Sequence, residues 1–126
     1  MDMVKIARRF FTALEVNDVE SASALCAEGF QGSRNGGPAM DRDTLMQFTA
    51  AVHGVIPDFR YENAIRWETT SGFVEEHDIC GTLPDGETFR LALCVVGEVA
   101  DDKITRLREY VDTRAAAALL KALSPA

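Results

Sequence analysis

Hydrophobic positions along the chain change period near Phe59, from helical spacing to alternation. Before that point Val4, Ala7, Phe11 and Leu14 recur one helical turn apart, with Ile6 and Phe10 widening the stripe. The spacing predicts a helix over the first 16 residues. Asn17-Asp-Val-Glu20 reads as a cap followed by an acid three residues on, which starts a second helix through Ala27, closed by Gly29. Phe30 to Ala39, FQGSRNGGPA, reads as a Gly-rich irregular stretch with room for one short strand. Asp41 or Asp43 caps a third helix carrying Leu45, Phe48 and Val52, which stops at Gly54 before Pro57.

From Phe59 onward the period of two predicts four strands, over 59–68, 72–82, 88–99 and 103–112. Leu83-Pro-Asp-Gly86 and Ala100-Asp-Asp-Lys103 supply hairpin turns. Asp112 then caps a last helix through TRAAAALLKAL. Helices followed by a meander imply the α+β class: one domain over residues 1–126, a curved antiparallel sheet with the N-terminal helices on one face.

Side chains on a strand alternate faces, so parity assigns them. Phe59, Tyr61, Asn63, Ile65 and Trp67 share one face of the first of these strands. The strand 88–99 is apolar on both faces, which predicts a central strand covered on both sides. In 103–112 the apolar face carries Thr105, Leu107, Glu109 and Val111, making Glu109 the candidate buried carboxylate. In 72–82, Val74, Glu76, Asp78 and Cys80 oppose Phe73, Glu75, His77 and Ile79, and periodicity does not choose between the two sets.

A net charge of -7 opposes a nucleic-acid footprint or an anionic membrane surface. No apolar run approaches a membrane span, and no secretory leader is visible, which implies a cytoplasmic protein. The three cysteines form no CxxC, and His53 and His77 lie far apart. No spacing suggests metal ligands, and no cofactor is implied.

The segments EEHDICGTLPDGETF and VVGEVADDKITRLREYVD resemble the limonene-epoxide-hydrolase branch of the nuclear transport factor 2-like superfamily. That superfamily also holds SnoaL-type polyketide cyclases and ketosteroid isomerases. The resemblance implies a cone of helices and curved sheet (a cystatin-like α+β roll) around a deep apolar pocket, with dimerisation through the sheet. The epoxide hydrolases use an Asp–Arg–Asp triad with a Tyr and an Asn. Carried over, the first acid falls on Asp78, the Arg on Glu76, and the late acid on Glu109. The Tyr falls about on Phe30 and the Asn about on Gly32. The ketosteroid isomerase positions fall about on Phe10, the SRNGG loop, and Cys94 or Val95. The cyclases resemble the chain at KIT…D and in the closing LLKALS, and their late acid matches Asp112 or Glu109. The resemblance turns Glu76 and Asp78 inward, and leaves Glu75 and His77 outside.

On this reading Asp78, Glu109 and Glu76 line one cavity and share a proton, an ionised carboxylate beside a protonated one. Such a pair serves general acid–base chemistry of hydrolase, isomerase or cyclase type on a small apolar molecule. Phe10, Phe30, Tyr61 and Trp67 form the ligand walls, and Arg90 is the nearest replacement cation. His77 reads as a surface or interface residue and His53 as a charge at a helix end. Asp112 reads as a helix cap, and Cys80 and Cys94 as small buried hydrophobes that can lie side by side. Two other readings stand beside catalysis: a binding module with no chemistry, and a cone used for dimerisation alone.

Overall fold

The computed structural model describes residues 2–124. Helix α1 (Met3–Glu15) starts where the Asp2 carboxylate accepts the Lys5 N–H. Helix α2 (Val19–Ala24) starts the same way, with Asp18 accepting from Ser21. Strand β1 (Cys26–Arg34) follows directly. Helix α3 (Arg42–Val55) is capped by Asp41, which accepts from Thr44. Strands β2 (Arg60–Glu68), β3 (Gly72–Thr82), β4 (Thr88–Ala100) and β5 (Lys103–Val111) form the meander. Helix α4 (Thr113–Leu123) closes the chain, with Asp112 accepting from Arg114. Each cap supplies an oxygen to a backbone donor that the helix itself leaves unpaired.

The strands lie in the order β1-β5-β4-β3-β2. This is the expected α+β roll of helices on a curved sheet, with one change: the sheet is mixed. β1 runs parallel to β5, with Arg34 opposite Glu109. The predicted second helix therefore ends at Ala24, three residues short, and the Gly-rich stretch is largely strand. Asn35 fixes this edge. Its side-chain amide donates to the Val111 carbonyl and its oxygen accepts the Val111 N–H, so one side chain extends the ladder past the end of β1.

Two bulges reset the parity of the sheet. Between Glu62–Ile65 on β2 and Asp78–Glu76 on β3, β2 spends one residue more, and Asn63 there has a φ of 57°. Asparagine tolerates that left-handed conformation, and the extra residue turns the strand over. Tyr61 consequently faces the helices, whereas Ile65 and Trp67 face away, contrary to the shared face that strict alternation predicts. On β5 the extra residue is Thr105, so Ile104 and Leu107 are both buried.

The core fills the space between the helices and the inner sheet face. Phe10, Phe30, Phe73, Ile56 and Ile104 are its most enclosed large apolar side chains. Phe73 lies against Gly97 on β4, where a Cβ would come within 2.3 Å of the ring. β4 is central, but within the chain only its odd positions, from Phe89 to Val99, are buried. The expectation that both of its faces are covered is not met by this chain alone. Cys80 and Cys94 sit opposite Arg90 and Glu76 rather than side by side.

Candidate functional site

β3 turns Phe73, Glu75, His77 and Ile79 toward the helices. Glu75 is 0 % exposed and His77 3 %, whereas Glu76 lies in solvent and Asp78 is half-buried on the opposite face. The orientation taken from the family resemblance is therefore reversed. Pairing explains it: Glu75 and His77 sit opposite the buried Val95 and Leu93, and Glu76 and Asp78 sit opposite Cys94 and Ala92.

Two buried polar side chains on a strand must find partners. The bulge in β2 provides one by placing Arg66 opposite Glu75, and its guanidinium donates to Glu75 Oε1. The other carboxylate oxygen, Oε2, is 2.6 Å from His77 Nδ1. A carboxylate paired with arginine accepts, so Nδ1 carries a proton, and in the neutral ring Nε2 is the nitrogen with the lone pair. Tyr61 covers one face of the imidazole, with ring centroids 4.2 Å apart, and Phe11 meets its edge at 5.0 Å.

His77 lines a cavity of about 130 Å³ between the helices and the sheet. Its walls include Phe10, Phe30, Tyr61, Leu93, Val95 and Leu107, with Leu119 of α4 at one side. Every wholly buried side-chain nitrogen and oxygen among the described residues has a hydrogen-bond partner. His77 Nε2 and the Tyr61 hydroxyl have none among those residues, and both side chains line the cavity. Burial, followed by the charges of Glu109, Glu75 and Glu15, pushes the Tyr61 phenol up, so that it remains a neutral donor.

Glu109 also lines this cavity, on β5. Arg34 Nε donates to its Oε2 at 3.1 Å, and the Arg34 guanidinium lies 5.2 Å from the centre of the Phe48 ring. Phe10, Phe30 and Tyr61 are wall residues, as the sequence suggests. Trp67 and Arg90 are not: they are 48 % and about half exposed on the outer face. There Arg90 pairs with Asp78 at 2.8 Å and with Glu62 at 2.9 Å. The hydrogen bond from Asn63, and then Arg90, hold the Asp78 carboxyl below its ordinary range against the effect of burial. The anticipated Asp78–Glu109 proton pair is thus not assembled, because the two acids occupy opposite faces.

His77 and Glu75, expected outside, are buried, and Arg66 was not singled out as their partner. The available signal was the Glu-x-His spacing, which puts both side chains on one strand face. His53 Nε2 is 2.7 Å from the Leu14 carbonyl and ties α3 to α1. Burial pushes the Cys26 thiol up to about 12 and raises Cys80 and Cys94 too, so none is primed as a nucleophile. Among the described residues no His, Cys, Asp or Glu side chains cluster as a metal site needs, and no helix is long and apolar enough to cross a membrane.

The sequence profile of the SnoaL-like domain matches residues 7–107. No curated protein sequence matches the chain. Among solved structures, a proposed polyketide cyclase of Xanthomonas campestris superposes with a TM-score of 0.80 at 17 % identity, covering 97 % of this chain and 96 % of that one. An LEH-like epoxide hydrolase of M. tuberculosis gives 0.76 at 18 % identity, over 96 % and 91 %. A protein of Catenulispora acidiphila with a ketosteroid isomerase-like fold, in complex with trimethylamine, gives 0.75 at 13 % identity, over 86 % of each chain. At these identities the likeness establishes a shared fold.

Proposed function

The chain belongs to the SnoaL-like domain family, and we propose that it catalyses proton transfer on a small apolar molecule, with His77 as the base and acid. The observation that carries this reading is the 2.6 Å contact between Glu75 and His77 at the wall of an apolar cavity. An imidazole both accepts and returns a proton, and a carboxylate behind it fixes its tautomer and stabilises the imidazolium.

For a carbonyl compound the step balances without a cofactor. Nε2 takes a proton from the carbon beside the carbonyl, and the C–H electron pair moves to form an enolate. The Tyr61 hydroxyl donates to the enolate oxygen. The imidazolium then returns its proton to the same carbon or another one. Isomerisation and cyclisation both begin this way, and a hydrolase uses the same base on water. Low dielectric in the apolar cavity strengthens each of these interactions.

Deuterium exchange into small apolar ketones in D2O, followed by proton NMR, tests the proposal. Wild type accelerates exchange and His77→Asn does not, although His77→Asn still binds the ketone. Binding without exchange in wild type favours the second reading, a ligand-binding module, which the closed apolar walls also suit. The outer sheet face, with Ile65, Trp67 and Tyr110 exposed, suits a second copy of the chain. The three free cysteines fit a reducing, cytoplasmic setting.

A further inference from the structure

The cavity holds a second polar station, Arg34 with Glu109. Their contact uses one donor and one acceptor, Nε and Oε2. The Arg34 Nη groups and Glu109 Oε1 make no other side-chain hydrogen bond among the described residues. A donor and an acceptor therefore stand side by side at the rim of an otherwise apolar space. Phe48 keeps the guanidinium in place from above, and the Asn35 N–H holds the Glu109 carbonyl from behind.

Charge narrows what can bind there. Arg34 and Glu109 balance each other, as Arg66 and Glu75 do behind His77. A ligand carboxylate would lie against Glu109 Oε1, and an ammonium against the guanidinium. Either meets like charge at close range. A hydroxyl meets neither, since it donates to Glu109 and accepts from Arg34 in one contact.

We infer that the cavity selects a neutral, largely apolar molecule bearing a hydroxyl, which Arg34 and Glu109 hold while His77 acts on it. Glu75 and Glu109 flank the same residue, Val95, on its two sides. The strands that carry the two stations are thus two spacings apart at the backbone, about 10 Å. The inference rests on the proposed use of the cavity as a substrate site and names the substrate class.

Calorimetry at pH 7 with 4-butylphenol, butylbenzene and 4-butylbenzoate tests it. Wild type binds the phenol roughly tenfold tighter than the hydrocarbon, the gain typical of hydrogen bonds to charged groups, and binds the benzoate most weakly. Arg34→Met removes the advantage of the phenol. Glu109→Gln, which leaves Arg34 unbalanced, moves the benzoate ahead of it. Equal binding of phenol and hydrocarbon by wild type, a preference for the benzoate, or no binding of any of the three overturns the inference. His77→Asn leaves the order unchanged. Absence of exchange by wild type with this order intact would therefore count against the proton-transfer reading alone.

Discussion

The His77 ring nitrogen Nδ1 lies 2.6 Å from Glu75 Oε2, between side chains two residues apart on one strand. Next neighbours on one strand face point the same way, so the pair needs no loop to assemble it. Rigid strands place such constellations better than loops do. The consequence for catalysis is specific. In Glu75→Gln the shape remains, but the amide does not fix the tautomer or stabilise the imidazolium. Deuterium exchange should fall by about 10²–10⁴-fold, with 4-butylphenol affinity unchanged by the same calorimetry.

Arg66 is the partner that lets Glu75 sit at 0 % exposure. Arg66→Met removes the cation and strands a buried carboxylate. Chemical denaturation should show a loss of about 3–5 kcal/mol. The double variant Arg66→Met/Glu75→Gln should recover much of that loss, because the two positions act as one unit.

Asn63 sets which way the end of β2 faces. Its φ of 57° suits Asn or Gly, and its side chain also donates to Asp78 at 3.0 Å. Asn63→Val should cost about 1–2 kcal/mol in denaturation from backbone strain. Asn63→Gly should cost less, since glycine keeps the conformation.

That bulge also shows where sequence reading stops. The helix of residues 3–15, the four later strands, the Asp112 cap and a third-helix cap at Asp41 or Asp43 were legible, because periodicity and capping are local signals. Asp101 and Asp102, both at positive φ, form the hairpin turn foreseen at Ala100–Lys103. β1 was not legible. Its Gly-rich sequence carries little strand propensity, and it is held by pairing with β5, seventy-odd residues away in the chain. Glu109 was placed on the cavity side correctly, since β5 alternates cleanly from Leu107 onward. The inward face of β3 was misassigned because two acids stood on one face and an acid with a histidine on the other. Only the neighbouring strand, through Arg66, decides between them.

Acid should weaken the fold through Asp58. The Thr82 N–H and hydroxyl, with Arg60 beside them, hold its carboxyl below the ordinary value of 3.8. A depressed folded value means that the contribution is complete above the unfolded value and is lost as pH falls through the folded one. Thermal unfolding should therefore drop in midpoint below about pH 4. Asp58→Asn should be less stable at pH 7 and flatter across that range.

The most direct measurement is long-range 1H–15N NMR of the His77 imidazole, without and with 4-butylphenol. The account predicts a neutral ring protonated at Nδ1, with a bare Nε2 whose resonance moves as the cavity fills, and no such movement at His53. A ring protonated at Nε2 in its neutral form, or an Nε2 signal indifferent to the ligand, would contradict the assignment of His77 as the base that faces the substrate.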